Sequence, residues 1–79
     1  MSKPVVVFGG PSPEHDISVS TGLQATHTLG DVHAVYWDKQ RRFWLVDPAA
    51  ETSDFAAGPP RRAREVSLVA EPGGGFVAK

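Results

Sequence analysis

The sequence predicts a small α/β domain with one βαβ unit, a parallel sheet and an edge hairpin. Three features support this fold class: an apolar run closed by two glycines, a proline-free stretch after it, and two runs rich in β-branched and aromatic residues. A strand, a helix and a strand in that order form a right-handed crossover in nearly all known proteins, so we expect the helix against one sheet face. A chain of 79 residues holds one small domain with a marginal core.

The first strand and the helix follow from the opening third of the chain. Residues 4–8 are apolar without interruption, which is typical of a strand buried on both faces and predicts a central parallel strand. Ser12 as N-cap and Pro13 at the first helical position then lead into a helix over residues 17–29, which Gly30 ends. Four of its positions recur at four-residue spacing: Ile17, Thr21, Ala25 and Leu29.

The rest of the chain reads as hairpins and a long loop. Residues 32–37 predict the second strand, and residues 43–46 follow after a short turn, so we expect an antiparallel partner at the sheet edge. Residues 47–64 predict a surface excursion with one helical turn around 51–55. Residues 65–70 and 76–77, joined by a glycine-rich turn at 72–75, predict a small terminal hairpin.

Composition excludes several classes of function. Eight basic side chains against nine acidic ones give no electrostatic footprint for a nucleic acid or a membrane surface. There is no cysteine, and the histidines at 15, 27 and 33 lack a recognised metal-ligand spacing. The apolar run after the first residues is too short for a signal peptide or a spanning helix, so the chain is expected to be cytoplasmic.

The candidate site lies between the first strand and the helix, where open α/β sheets bind ligands. Gly9 and Gly10 let the backbone pass close to a ligand, and amides at the helix start can hold a carboxylate. Glu14 has the charge that suits an ammonium group, so the pair would suit an amino acid zwitterion. The alternative is a tight strand-to-helix turn, with Glu14 only complementing the helix dipole. The later glycine of a dinucleotide fingerprint is missing, so NAD is not predicted.

Two segments resemble a known family. Residues 5–18, Val-Val-Val-Phe-Gly-Gly-Pro-Ser-Pro-Glu-His-Asp-Ile-Ser, with Ser20 and Gly22 after them, resemble the opening of D-alanine–D-alanine ligases, F-G-G-x-S-x-E-H-x-[VI]-S. Residues 36–44 are similar to the family's I-D-K-x-G-x-W segment. The turn glycine is absent, with Arg41 or Arg42 in its place, and Trp44 comes one residue late unless Phe43 takes the tryptophan position. The likeness is strong over residues 4–22.

The resemblance implies roles for the candidate residues. Glu14 would bind the ammonium of the first D-alanine, Ile17 would lie near its methyl group, and Ser18 would support the head of the helix. Residues 1–79 would then be the amino-terminal substrate-binding domain, a Rossmann-like fold of the pre-ATP-grasp type.

The resemblance also implies what the chain lacks. In this family two later ATP-grasp domains bind ATP and Mg²⁺ and make D-alanyl-D-alanine for peptidoglycan. Nothing in this chain matches those domains, so we expect it to bind neither cofactor and to be inactive alone. A different class of function is a free-standing, non-catalytic ligand-binding or interaction module, although an end at 77–79 favours a fragment over such a module.

The remaining residues are expected to be structural, and the sheet to be incomplete. A hydrogen-bonded role is expected for His15, core packing for Trp37, Phe43 and Trp44, and a solvated loop for the arginines at 61, 62 and 64. An incomplete sheet leaves an open edge and an uncovered apolar face, so we expect self-association or assembly with the missing domains.

Overall fold

A computed structural model describes residues 4–68 and 75–78, which form a five-stranded sheet with one α-helix packed against it. The elements in chain order are β1 (Val5–Gly9), α1 (His15–Leu29), β2 (His33–Trp37), β3 (Phe43–Val46), a 3-10 helix (Thr52–Phe55), β4 (Arg64–Leu68) and β5 (Phe76–Ala78). The strands lie side by side in that same order.

The sheet confirms the predicted fold class. β1 and β2 are parallel and joined through α1, which is the expected βαβ unit, while the three later pairings are antiparallel. The β2–β3 hairpin forms as predicted, but it lies inside the sheet because β4 pairs with the other side of β3. The edge hairpin is β4–β5, and its predicted turn at 72–75 falls largely outside the described residues.

β1 is not the doubly buried central strand that its sequence predicted. It is the first strand in the sheet order, and its side chains alternate: Phe8 is buried under α1, whereas Val5 and Val7 remain 44% and 47% exposed. An apolar run alone does not reveal how many layers cover a strand. In the described part of the chain a single helix covers one face, so the valines of the other face stay open to water.

α1 begins at His15, with Glu14 rather than Ser12 at the N-cap position. Ser12 instead organises the turn before the helix: its hydroxyl accepts a hydrogen bond from the Glu14 amide at 3.2 Å, and its carbonyl accepts one from the His15 amide at 3.1 Å. The helix ends at Leu29 as predicted, and Gly30 follows with φ 82° and donates its amide to the Thr26 carbonyl.

The buried face of α1 differs from the predicted one. Ile17 and Leu29 are exposed, and the helix buries a different stripe: His15, Val19, Gly22, Leu23 and Thr26. A strict four-residue row rotates by about 40° at each step, because 3.6 residues make a turn, and it therefore winds off any straight contact. The observed stripe mixes steps of three and four residues, so it stays on the sheet.

The core lies between α1 and the sheet and is completed by the long loop. Phe8, Leu23, Tyr36 and Val46 pack with Phe55, which comes from the 3-10 helix found where one helical turn was predicted. The ring centroid of Phe55 lies 5.5 Å from that of Phe8 and 4.8 Å from that of Tyr36. The loop over residues 47–64 is therefore more than a surface excursion, since it caps one end of the core.

At Gly22 the helix lies close against the sheet. A Cβ atom built on this residue would lie 2.3 Å from Cβ of Phe8, which is closer than carbon atoms pack. Gly22 therefore has a packing reason for its place in the middle of a helix, where glycine is a poor helix former.

Neither helix formed by residues 4–68 has the length and apolar character needed to cross a membrane.

Candidate functional site

A groove of about 540 Å³ runs between β1 and α1 at the carboxyl end of β1. Four of the five predicted site residues line it: Gly9, Glu14, Ile17 and Ser18. The fifth, Gly10, is buried, and a Cβ atom built on it would lie 3.0 Å from Cε3 of Trp37. The segment that sequence analysis singled out therefore surrounds one surface depression.

The two glycines shape the loop with both their conformation and their amides. Gly9 and Gly10 have φ angles of 99° and 104°, and a Cβ on Gly9 would lie 2.5 Å from the Trp37 carbonyl oxygen. The Gly9 amide donates to the Ser18 hydroxyl at 3.0 Å, and the Gly10 amide donates to the Trp37 carbonyl at 2.7 Å. Because both amides have partners inside the chain, these residues hold the loop in place and do not serve as donors to a ligand.

Donors for an anion come instead from the first turn of α1. The first hydrogen bond inside the helix runs from the Ser18 amide to the Glu14 carbonyl, and the His15 amide bonds to the Ser12 carbonyl. The amides of Asp16 and Ile17 precede that ladder, as amides at a helix start do, and they face out of the helix end. Of these two residues, Ile17 lines the groove and Asp16 does not.

Glu14 is exposed and its side chain does not cap the helix. A carboxylate at the N-cap position would normally accept hydrogen bonds from amides of the first turn. Here φ and ψ are −89° and 13°, outside the extended conformation usual for a capping residue, and no side-chain capping bond forms. The carboxylate is therefore presented at the groove rather than turned back onto its own helix.

Ile17 forms an apolar wall beside Glu14. Its side chain is 68% exposed and lies one helical turn beyond Glu14 in the same groove. A large apolar side chain left open next to a carboxylate suits a ligand that has an ammonium group and a small apolar substituent.

His15 links the helix start to β2. Its Nε2 lies 2.6 Å from the hydroxyl of Tyr36, and its Nδ1 lies 2.8 Å from a carboxylate oxygen of Asp16. Since an ionised carboxylate only accepts hydrogen bonds, Nδ1 carries the proton, and Nε2 accepts from the tyrosine hydroxyl. A hydrogen-bonded His15 was predicted from the sequence, but its partners were not, and Tyr36 was not among the predicted site residues.

The pKa values of both neighbours of His15 are shifted, that of Asp16 by this contact and that of Tyr36 by burial and nearby charge. The hydrogen bond from His15, with a further contribution from the charge of Lys39, lowers the pKa of the Asp16 carboxyl below its ordinary value. Burial raises the pKa of the Tyr36 hydroxyl, and the carboxylates of Asp38 and Asp16 add to the shift. Tyr36 therefore remains a neutral hydrogen-bond donor at physiological pH.

The raised pKa of Tyr36 predicts a loss of stability at alkaline pH. Because the hydroxyl keeps its proton longer in the folded chain, this contribution to stability is complete below the ordinary pKa of 10.0 and is lost as the pH rises through the folded value. Tyr36 is the sole tyrosine of the chain, so absorbance of tyrosinate follows it directly. We expect titration above pH 10.0 in the native chain and a flatter alkaline stability profile in Tyr36→Phe. Titration at or below pH 10.0 would contradict the buried donor.

A second polar centre, which sequence analysis did not single out, closes the β2–β3 turn. The buried Asp38 carboxylate accepts the amides of Gln40 and Arg42 on one oxygen, at 2.9 and 2.8 Å, and the indole N–H of Trp44 on the other, at 2.8 Å. The signal in the sequence was an aspartate that begins a turn, six residues before a tryptophan.

Arg41 has a φ of 67° in this turn, which identifies it as the residue in the place of the missing turn glycine. With Arg41 in that place, Phe43 occupies the position of the tryptophan in the I-D-K-x-G-x-W pattern. Trp44 then comes one residue after the end of the pattern, and its indole N–H donates to Asp38.

Among residues 4–68 and 75–78, no group of three or more histidine or acidic side chains is arranged to hold a metal ion. The residues that line the groove include one carboxylate, that of Glu14.

Comparison with known proteins identifies a structural relative. No protein-family model matches the chain, and no curated protein matches it. A similar solved structure is the crystal structure of D-alanine–D-alanine ligase from Helicobacter pylori, with a TM-score of 0.73 and 22% sequence identity. The match covers 99% of this chain and 26% of the ligase chain. The chain therefore has the α/β fold of one part of a D-alanine–D-alanine ligase and spans a minor share of that protein's length.

Proposed function

We propose that this chain is the amino-terminal substrate-binding domain of an ATP-dependent D-alanine–D-alanine ligase and helps to bind the first D-alanine. The observation that carries the proposal is the Glu14 carboxylate, which makes no capping hydrogen bond and lies in a groove with Ile17 and the start of α1. The fold shared with the Helicobacter pylori ligase supports it. Such an enzyme would work in the cytoplasm and supply D-alanyl-D-alanine for peptidoglycan and hence for cell-wall biogenesis and cell shape.

Each part of D-alanine has a counterpart in the groove. The ammonium group pairs with the Glu14 carboxylate, and the methyl group lies against Ile17. The carboxylate accepts a hydrogen bond from the Ile17 amide at the start of α1, where the helix dipole favours a negative charge. Ser18 supports the arrangement by accepting the Gly9 amide.

The isolated groove binds weakly because it is open to water. An ion pair between exposed groups contributes only about 0–1 kcal/mol. We therefore expect the chain alone to bind D-alanine with a dissociation constant on the order of 1 mM or weaker. Closure over the ligand, together with ATP and Mg²⁺, would be supplied by the remaining domains of the ligase.

The proposal predicts that Glu14→Gln weakens D-alanine binding. The substitution keeps the shape of the side chain and removes the charge that pairs with the ammonium group. Titration of D-alanine into the ¹⁵N-labelled chain should shift the amide signals of Gly9, Ile17 and Ser18. In Glu14→Gln the same shifts should need up to about fivefold more ligand, which corresponds to about 1 kcal/mol, the upper end for an exposed ion pair.

A matched control is Glu51→Gln, which removes one exposed glutamate charge at the start of the 3-10 helix. It should leave the titration unchanged, and L-alanine should shift the groove signals less than D-alanine. Equal responses in Glu14→Gln and in the native chain would contradict the proposal and favour a module with another ligand.

We also propose that β1 joins a further chain or domain. In the described residues β1 pairs on one side only, and Val5 and Val7 are exposed on its uncovered face. Light scattering after size-exclusion chromatography should show self-association that Val7→Lys reduces, since a charge on an edge strand opposes pairing. A stable monomer at high concentration would contradict self-association.

A further inference from the structure

Glu14 and His15 are adjacent residues with opposite surroundings. Glu14 is exposed at the groove, whereas His15 is only 4% exposed and lies against the core. Successive residues of a helix point about 100° apart, so the backbone that carries one side chain also sets the direction of the other. Contacts that hold His15 in place therefore also set the position of the Glu14 Cα and the direction of its Cα–Cβ bond.

Both ring nitrogens of His15 have hydrogen-bond partners. Nε2 accepts from the Tyr36 hydroxyl at 2.6 Å and Nδ1 donates to Asp16 at 2.8 Å, while the His15 and Tyr36 rings meet edge to face with centroids 5.4 Å apart. Because the Asp16 side chain is exposed, the buried contact with Tyr36 is the one that orients the ring.

Tyr36 is a rigid anchor for this contact. It is a fully buried residue of β2, it is paired in the sheet with Phe8, and its ring packs on Phe8 and Phe55. A continuous path of contacts thus runs from the centre of the sheet through Tyr36 and His15 to the start of α1.

The loop before Glu14 is held as firmly from its other side. The His15 amide bonds to the Ser12 carbonyl, and the amides of Gly9 and Gly10 bond to Ser18 and Trp37. The backbone at Glu14 is therefore held on both sides, and its side chain remains open to the groove.

We propose that the hydrogen-bonded chain of Tyr36, His15 and Asp16 positions Glu14 for its ligand, which makes Tyr36 and His15 positioning residues of this site. The ligand, D-alanine, rests on the proposed function. The positioning itself rests on the contacts above and is tested without a ligand as well as with one.

The experiment compares four variants of the 79-residue chain by amide hydrogen exchange and by D-alanine titration. Tyr36→Phe removes the donor and keeps the ring, and His15→Leu removes both nitrogens. His15→Gln places an amide near the position of Nε2 and should restore part of the contact. Thr26→Val is the control, since it removes a buried hydrogen bond of the same helix, from the Thr26 hydroxyl to the Gly22 carbonyl, away from the loop.

In Tyr36→Phe and His15→Leu we expect exchange of the Gly9, Gly10 and His15 amides to accelerate about fivefold relative to the Val35 amide in β2, and D-alanine affinity to fall about fivefold. Thr26→Val should change neither the exchange rate relative to Val35 nor the affinity for D-alanine. In both quantities His15→Gln should lie closer to the native chain than His15→Leu does. The ¹⁵N spectrum of the native His15 ring should show the proton on Nδ1.

Two outcomes would overturn the inference. One is that amide exchange accelerates uniformly, including at Val35, which would show a general loss of stability and no positioning. The other is an unchanged affinity for D-alanine in a Tyr36→Phe chain whose loop amides exchange faster. Failure of the native chain to bind D-alanine would remove the proposed function instead. Selective loosening of the loop in Tyr36→Phe would still support the contact path.

Discussion

Gly22→Ala should destabilise the domain by about 2 kcal/mol, although alanine is the better helix former. The added methyl carbon would lie 2.3 Å from Cβ of Phe8 and 2.6 Å from its Cγ. Because Cβ of Phe8 cannot rotate away, the helix has to move off the sheet. Overpacking of this kind typically costs about 1–3 kcal/mol and sometimes more, and a helix-propensity gain of about 1 kcal/mol offsets part of it.

Urea unfolding followed by circular dichroism would measure this loss. A domain of 79 residues has about 4–12 kcal/mol of stability in total, so the change is a large share of it. Ser20→Ala, an exposed position on the same helix, is the control and should stay within about 0.5 kcal/mol of the native chain. Equal or higher stability of Gly22→Ala would show that helix propensity outweighs the contact with Phe8.

Asp38→Ala should cost about 3 kcal/mol, the largest effect that we expect from a single polar side chain here. The substitution leaves two turn amides and the Trp44 indole N–H without their shared acceptor. Hydrogen bonds to a charged group contribute about 1.5–3 kcal/mol each, and water can replace some of those near the surface. Asp38→Asn keeps one acceptor oxygen and should lose about half as much.

The control for Asp38 is Asp47→Ala, because Asp47 also accepts an amide two residues later, that of Ala49, but is exposed. It should cost about 1 kcal/mol or less. Thermal unfolding and the NMR signal of the Trp44 indole N–H would follow both variants. An Asp38→Ala chain as stable as Asp47→Ala would show that burial adds nothing to the role of this carboxylate.

The parts of the fold that depend on neighbouring residues were predictable from the sequence. β3 has the bounds read from its aromatic run, and α1 ends before Gly30 as a glycine stop indicates. A loop between β1 and α1 was also predicted, because the strand, the glycines and the helix are close together in the chain, although the N-cap position is Glu14 rather than Ser12. Most of the residues proposed for the site therefore come from one short segment and could be named in advance.

The parts that depend on distant residues were not predictable. The His15–Tyr36 contact joins positions 21 residues apart, and the exposure of Val5 and Val7 depends on what lies over the sheet. The buried face of α1 was read wrongly because Ile17 is exposed at the groove and does not pack in the core. An exposed apolar residue and a core residue look alike in a single sequence.

The closed turn around Asp38 also has a consequence for the order in which the chain folds. Its hydrogen bonds span at most six residues, so the β2–β3 hairpin closes at a small cost in chain entropy. Val5, in contrast, pairs with His33, and α1 has to form and dock between them. Because the groove is built from β1 and α1, we expect it to be completed only when this long-range pairing is made. A ligand of the groove would then bind only the fully folded chain, and it would stabilise the whole domain rather than the hairpin alone.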